Sequence, residues 1–228
     1  MDTSATLQTD DSTRLVALDV VRGVAVLGIL AANIIGMGQP MTAYGWPGGF
    51  LVPTGAADAW LWGAQLVLID GKFRGLFTLL FGAGMVIFER RAAARGEGGG
   101  LLARRLGWLA LFGLAHWALL WRGDILLTYA VAGLTVLPFL AWPAHKQLAL
   151  GLAGYLVGTA MILAVTVALT LVDPTGLAEI AAGDRADGLA EAALMLGGNH
   201  GAVVGHAVGA HLSDLVASVL WALFETVP

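Results

Sequence analysis

Charged residues are scarce in this chain of 228 residues, and cysteine is absent. Charged side chains make up 12% of the sequence, whereas a soluble domain carries about 25%. The absence of cysteine excludes disulfides, thiolate nucleophiles and cysteine-ligated metal sites. The net charge is -4, and no basic stripe with interleaved aromatic residues occurs in the sequence. Together these features argue against nucleic acid as a partner.

Long apolar runs dominate what remains. Hydrophobic residues make up 58% of the chain, and several runs approach the ~20 residues that cross a bilayer as a helix. The sequence therefore predicts an all-α, polytopic bundle of transmembrane helices whose main partner is the lipid bilayer. The segment 1–14 is polar and mostly acidic, unlike the basic start of a secretory signal. We interpret 1–14 as a disordered tail and 15–228 as the transmembrane domain.

Five runs are long enough for full crossings, and a sixth begins near the end of the sequence. The segment 57–70 is too short to cross ~30 Å at ~1.5 Å per residue. It therefore predicts an outer interfacial helix or an extension of a long tilted helix. The half-made sixth span suggests a truncated chain. The predicted crossings are residues 15–37, 72–88, 101–121, 125–142 and 147–172, and the incomplete span is 212–224.

Arginines predict the orientation of these spans. Arg14, Arg22 and the arginine cluster within residues 90–105 are expected on the cytoplasmic side. The uncharged segment 38–57 and the acidic segment 173–199 are then external loops. The N-terminus is accordingly predicted to be cytoplasmic.

Polar residues inside two of the spans fall on single helical faces. Asp19, Arg22 and Asn33 lie within one narrow sector at about 100° per residue. Arg22 and Asn33 are about 16 Å apart along the helix axis, and Arg105 and His116 repeat the same separation in the third span. The pattern predicts two helices that each present an inner arginine and an outer polar group.

Structural roles for the same residues remain open. Asp19 and Arg22 have the spacing of a helical ion pair. Alternatively, Arg105 extends toward the lipid headgroups, and His116 forms a hydrogen bond to a neighbouring helix. Asp124 either caps the next helix or orients His116, which would form a carboxylate–imidazole pair.

The stretch DGKFRGLFTLLFGAG, which starts at Asp70, carries a third group of polar residues. Gly71 is expected to break the helix, with Lys72 and Arg74 at the outer end of the following crossing. The glycines near its end favour close helix packing. No metal site is predicted, because His200, His206 and His211 are six and five residues apart, whereas helical metal ligands prefer four.

Three of these stretches carry a family resemblance: LDVVRGVAVLGILAANI, GKFRGLFTLLFGAG and RRLGWLALFGLAHWALLWRGDILLTYAVAGL. They follow one another over residues 18–134, which is more than half of the chain. The arrangement resembles the YeiB-like family of bacterial integral membrane proteins of unknown function. This resemblance implies a location in the bacterial cytoplasmic (inner) membrane. It also implies a longer architecture, of which this chain is the N-terminal part.

A wider resemblance connects the YeiB-like proteins with the transmembrane acyltransferase superfamily. In those enzymes the first span opens with an L-D-x-x-R pattern, which Leu18, Asp19 and Arg22 match. The span often ends with a histidine, whereas this chain has Asn33, and asparagine is no general base. If the chain is an acyltransferase, as this resemblance implies, His116 is the best remaining imidazole, although the superfamily motif does not supply that position.

The first functional hypothesis is acyl transfer from cytoplasmic acyl-CoA to a small-molecule or glycan acceptor at the outer face. Acyl-CoA is then a co-substrate, and no tightly bound cofactor is expected. Alternatives are a transporter of a small solute or anion, and a non-catalytic membrane assembly subunit, in either case with a possible oligomer or missing C-terminal half. In the acyltransferase hypothesis, the catalytic residues are His116, Asn33 and Asp124. The phosphates of acyl-CoA bind to Arg22, Arg104 and Arg105, and Asp19 holds Arg22 in place. The acceptor binds to Lys72, Arg74 and Tyr129.

Overall fold

The computed structural model describes residues 3–39, 43–44, 49–97, 100–121, 123–171, 174–206, 208–209, 212, 215–216 and 219. Within this part of the chain the secondary structure is helical and no strand occurs. The all-α class predicted from the apolar runs is therefore confirmed at this level.

Seven α-helices are numbered here in chain order, and residues 200–206 form a further helical stretch. Two of them continue into tighter or wider turns: a π-helical turn, Leu66–Asp70, joins α2 to α3, and a 3-10 turn, Leu137–Phe139, follows α5. The helices are α1 (Thr3–Gly38), α2 (Ala56–Gln65), α3 (Gly71–Ala94), α4 (Gly100–Leu119), α5 (Leu126–Val136), α6 (Ala144–Leu171) and α7 (Pro174–Leu196).

Three described segments are long and apolar enough to cross a membrane. They are Val16–Gly38, Ala56–Ala94 and Ala144–Ala168, and a shorter apolar segment is Leu126–Phe139. Large apolar side chains on these helices are exposed, including Leu27 on α1 and Leu163 on α6, which suits contact with lipid tails. These features are those of a membrane protein, while the count of five crossings and a sixth begun stays a prediction.

The segment Ala56–Ala94 is one continuous helical rod of 39 residues. The expected break at Gly71 is wrong, because Gly71 has right-handed helical backbone angles, φ -61° and ψ -31°. The helix instead widens into the π-helical turn directly before this glycine. A rod of this length spans about 58 Å, so of the two alternatives for 57–70 the structure corresponds to the extension of a long helix.

Two further segments differ from the sequence-based expectation. The acidic stretch 173–199 was expected as a loop, but most of it forms α7. Pro174 is suited to the first position of a helix, and the alanines, leucines and glutamates that follow are good helix formers. At the other end, α1 begins at Thr3, within the predicted disordered tail. The division into tail and membrane domain stays a prediction, and 212–224 falls largely outside the described residues.

Helices α1, α3, α4 and α5 pack together into the unit that holds the candidate site. Helix α5 packs mainly on α4, and α1 packs on α3 and the π-helical turn. Gly113 allows the first approach, because a side chain there would meet the backbone of Leu127. Gly28 allows the second approach by admitting the ring of Phe73. A buried apolar cluster of Met85, Leu102 and Leu106 closes the centre.

Candidate functional site

A cavity of about 830 Å³ lies between α1, α3, α4 and α5. Four charged side chains line it: one carboxylate, Asp19, and three guanidinium groups, Arg22, Arg91 and Arg105. The remaining described lining is largely apolar and aromatic, and one phenol, that of Tyr129, belongs to it. The apolar lining residues are Leu18, Phe77, Leu80, Phe81, Gly84, Met85, Ile87, Phe88, Leu102, Leu106, Trp108, Leu109, Phe112, Ile125 and Leu126.

Helical periodicity explains why these positions share the cavity. On α3, the cavity-lining residues run from Phe77 to Arg91 and, apart from Met85, lie within about 60° of Gly84 on the helical wheel. On α4, most follow the three- and four-residue steps that run from Leu102 through Arg105 to Phe112. Each helix therefore turns one face toward the cavity, with arginine at one end of that face.

Arg22 occupies the cavity wall opposite α3. Its Nη1 lies 3.0 Å from Asp19 Oδ1, so the helical ion pair expected from their spacing is present. Its Nη2 would lie 3.3 Å from a β-carbon added at Gly84. The missing side chain at Gly84 thus leaves room for the guanidinium.

Arg105 reaches the same wall from α4. Its guanidinium carbon lies 5.1 Å from the centre of the Phe88 ring, within the range of a cation–π contact. Phe88 follows Gly84 by four residues, so the two arginines contact α3 at levels about 6 Å apart. The structure therefore brings Arg22 and Arg105 to neighbouring turns of one helix.

Other residues that the sequence grouped with these arginines lie elsewhere. Arg104 is not among the residues that line the four-helix cavity; it lines an adjoining shallow surface that shares Phe88, Arg105 and Trp108 with the cavity. Asn33 and His116 are not among the residues that line the cavity. The predicted line of polar groups from the inner arginines to the outer Asn33 and His116 is therefore seen in the cavity only for the arginines. The roles predicted for Asn33 and His116 stay predictions.

His116 and Asp124 form a pair at the junction of α4 and α5. His116 Nδ1 lies 3.0 Å from Asp124 Oδ1, while the Asp124 side chain is fully buried and that of His116 is 33% exposed. The two atoms form no hydrogen bond with each other, so the interaction is an electrostatic contact. The second carboxylate oxygen of Asp124 accepts a hydrogen bond from the backbone N–H of Leu127, at 2.7 Å. Both structural alternatives for Asp124, helix capping and pairing with His116, therefore occur together.

Burial dominates the electrostatics of Asp124, which lies in the turn between α4 and α5. Desolvation raises the pKa of its carboxyl above 3.8. The backbone N–H groups of Leu127 and Leu126 and the nearby imidazole of His116 oppose this rise by favouring the carboxylate. A carboxylate held this way can orient an imidazole and stabilise its protonated form.

A second polar cluster surrounds the π-helical turn. Asp70 is a second buried carboxylate, with 4% of the residue exposed. Its Oδ1 accepts a hydrogen bond from the Tyr44 hydroxyl, and its Oδ2 accepts one from Arg74 Nη2 at 2.6 Å. Arg74, which was predicted to bind the acceptor, thus forms an ion pair with a carboxylate. Lys72, which was predicted to bind the acceptor as well, is exposed at the start of α3.

Tyr129 connects this cluster to the cavity. Its hydroxyl lies 2.7 Å from the hydroxyl of Thr78 and donates to the backbone carbonyl of Arg74 at 3.4 Å. Sequence reasoning missed the cluster, although the four-residue spacing of Asp70 and Arg74 was visible. The contacts of Tyr44 and Thr78 join distant segments, and no local pattern indicates them.

A smaller cavity of about 390 Å³ lies where α4 ends, and Trp117 and Trp121 form part of its wall. Glu191, His200 and His206 also line it. No group of three metal-ligating side chains occurs within the part of the chain that the structure covers. His211 lies outside the described residues.

The chain is similar to curated bacterial proteins that carry no assigned function. It is 40% identical over 159 residues to an uncharacterised protein, YeiB, of Escherichia coli (strain K12). It is 38% identical over 130 residues to the uncharacterised protein YxaH of Bacillus subtilis (strain 168). It is also 35% identical over 127 residues to an uncharacterised 39.9 kDa protein in the amylase 3′ region of Bacillus acidopullulyticus.

These alignments cover 66%, 55% and 55% of this chain, and 38%, 32% and 34% of the respective relatives. The chain therefore spans 32% to 38% of the length of these relatives. No protein-family profile matches the sequence, and no solved structure matches it. The three relatives confirm the resemblance read from the sequence motifs: this chain is similar to the YeiB-like proteins of unknown function.

Proposed function

We propose that the protein binds a cytoplasmic acyl-CoA in the four-helix cavity and transfers its acyl group to an acceptor at the outer face of the membrane. The observation that carries this proposal is the shared cavity of Arg22 and Arg105. Guanidinium groups are suited to phosphate, because their donors match its oxygens in pairs. The apolar remainder of the cavity suits the arm and acyl chain of such a ligand.

The cavity is long enough for an extended arm. Its wall on α3 runs from Arg91 to Phe77, about 21 Å along the helix axis. Its far end includes Ile125 and Tyr129, close in sequence to Asp124. A ligand with its phosphates at the arginines would therefore direct its thioester toward the α4–α5 junction. The charged end is cytoplasmic in the orientation that the arginine distribution predicts.

The chemistry proposed at this junction is general-base acyl transfer. His116 accepts the proton of an acceptor hydroxyl or amine while the acceptor atom attacks the thioester carbon. A new C–O or C–N bond forms, the C–S bond breaks, and CoA leaves as a thiolate that takes up a proton. Asp124 stabilises the protonated His116, and Asn33 donates to the thioester oxygen. Lys72 and Arg74 belong to the acceptor side.

Binding of palmitoyl-CoA to the purified protein in detergent tests the first step. Arg22→Ala and Arg105→Ala are each expected to weaken binding about tenfold or more, since a hydrogen bond to a charged group contributes ~1.5–3 kcal/mol. Arg90→Ala is the control, because Arg90 is exposed and is not among the residues that line the cavity. The proposal is refuted if neither this chain nor a full-length relative shows saturable binding of palmitoyl-CoA.

Turnover tests the second step in proteins that bind. His116→Ala should abolish acyl transfer to a hydroxyl or amine acceptor while palmitoyl-CoA binding stays unchanged. His145→Ala serves as the control, because His145 is exposed at the start of α6. Equal turnover in wild type and His116→Ala would remove the proposed base.

Transport of a small anion is the second candidate function. An ion pair of the buried Asp70 with the half-buried Arg74 lies within the continuous apolar segment Ala56–Ala94. Ionisable groups inside apolar spans commonly mark ion or solute paths, and π-helical turns are frequent at functional positions. Uptake of a labelled anion into proteoliposomes, lost in Asp70→Asn, would favour transport. The absence of both uptake and acyl-CoA binding would leave the assembly-subunit hypothesis.

A further inference from the structure

Arg91 is a third cation at the charged end of the four-helix cavity, and the sequence motifs give no hint of its role. It lies on α3, seven residues after Gly84 and three after Phe88. These are the two residues against which Arg22 and Arg105 lie. A seven-residue step brings a side chain back to within about 20° of the same helical direction. Arg91 therefore extends the cavity face of α3 by one turn beyond the other two arginines.

Charge at this end of the cavity is strongly unbalanced. Three guanidinium groups and one carboxylate line it, and the carboxylate of Asp19 is engaged with Arg22. Arg105 lies over an aromatic ring, a contact that leaves its charge uncompensated by any carboxylate among the residues lining the cavity. A ligand with a single negative charge would leave the excess positive charge unneutralised. The arrangement suits a ligand with several negative charges at one end and an apolar body.

We propose that Arg91 binds a phosphate monoester of the ligand, beside a second anionic group held by Arg22 and Arg105. This inference rests on the proposed acyl-CoA function, in which the monoester is the 3′-phosphate and the second group is the diphosphate. A phosphate monoester carries about -1.5 to -2 charges at neutral pH and offers three acceptor oxygens. A guanidinium matches those oxygens with two parallel hydrogen bonds. The same chemistry occurs in a phosphatidate headgroup, so the test separates the two sources.

The test measures the affinity of four proteins for two ligands. The proteins are the wild type, Arg91→Ala, Arg91→Lys and Arg90→Ala, each checked for helicity and monodispersity. The ligands are palmitoyl-CoA and its dephospho analogue, which lacks the 3′-phosphate. Arg90 is the matched control, because it is the sequence neighbour of Arg91 and is likewise exposed. On the helical wheel it lies about 120° away from Gly84.

Arg91→Ala is expected to weaken palmitoyl-CoA binding at least about tenfold, with no change for the dephospho analogue. Arg91→Lys should recover part of the loss, because it keeps the charge but not the paired donors. Arg90→Ala should bind both ligands like the wild type. Equal weakening of both ligands by Arg91→Ala, or equal behaviour of Arg91→Ala and Arg90→Ala, would overturn the inference.

Competition with dioleoyl phosphatidate in mixed micelles distinguishes the ligand sources. If phosphatidate displaces palmitoyl-CoA from the wild type but not from Arg91→Ala, the monoester site is supported and also accepts a lipid headgroup. If the wild type binds palmitoyl-CoA and Arg91→Ala binds it equally well, this inference alone is overturned and the proposed function stands. A wild type that binds neither CoA ligand nor phosphatidate overturns both.

Discussion

Substitution of Gly113 by alanine should separate α4 from α5 at the His116–Asp124 junction. A β-carbon at Gly113 would lie 2.3 Å from the backbone nitrogen of Leu127, whereas ordinary contacts begin at 3.4 Å. The two backbones must therefore move apart by about 1 Å, because the obstructing atoms are main chain and cannot rotate away. The displaced N–H of Leu127 is the one that donates to Asp124.

Three energetic effects set the size of this change. Overpacking of a close contact costs about 1–3 kcal/mol, and a lost hydrogen bond to a carboxylate costs about 1.5–3 kcal/mol. The higher helix propensity of alanine offsets about 1 kcal/mol. A net destabilisation of about 1.5–5 kcal/mol follows, which corresponds to a fall of the unfolding midpoint by about 3–20 °C for a chain of this size.

Thermal unfolding in detergent, followed by helicity, measures this effect. Gly107→Ala is the matched control on the same helix, because a β-carbon there meets nothing within 4 Å. That control should unfold at the wild-type temperature or slightly above it. If Gly113→Ala and Gly107→Ala unfold together, the close approach of α4 and α5 at Leu127 is wrong, and the geometry of the His116–Asp124 pair is wrong with it.

Three further predictions concern the polar contacts. Asp70→Asn should destabilise the protein by about 2 kcal/mol, because the buried carboxylate that accepts from Arg74 loses its charge; a wild-type unfolding midpoint would contradict this contact of Asp70 with Arg74. Tyr129→Phe should cost about 1 kcal/mol through the lost contact with the Thr78 hydroxyl, whereas Tyr155→Phe on the exposed surface of α6 should cost nothing measurable. Asp124→Asn should alter the pH dependence of stability: burial raises the folded-state pKa of Asp124 above 3.8, so its contribution is fully present below pH 3.8 and is lost as the pH rises through the folded pKa. Asparagine keeps the cap without titrating, so parallel curves for wild type and variant would contradict the raised pKa.

Local periodicity was sufficient to predict the contacts made within one helix or across one short turn. The pair of Asp19 and Arg22 follows from their three-residue spacing. The contact of His116 with Asp124 crosses a turn of a few residues, so the helix ends have little freedom to separate the two side chains. Matching helix directions predict a common depth for Arg22 and Arg105, and the structure has both lining one cavity.

Contacts between distant segments were beyond these arguments. Tyr44 reaches Asp70 across 26 positions, and Tyr129 reaches Thr78 across 51. Nothing in either segment specifies its partner, because the meeting depends on how α1, α3 and α5 pack. The π-helical turn was missed for a related reason: Leu66–Asp70 is a sequence that an ordinary α-helix accommodates. Its widened turn depends on packing, which hydropathy does not report.

Tyr129 makes the buried Asp70 cluster relevant to either proposed function. Its ring lies at the far end of the four-helix cavity, packed edge-on against Phe77 with ring centres 5.1 Å apart. Its hydroxyl is held by Thr78 and by the carbonyl of Arg74, the residue whose guanidinium binds Asp70. A change of charge at Asp70 would therefore alter the support of the cavity wall without contacting a ligand. Loss of acyl-CoA binding in Asp70→Asn alone would thus indicate a positioning role, and only loss of uptake with binding retained would indicate a transport path through the π-helical turn.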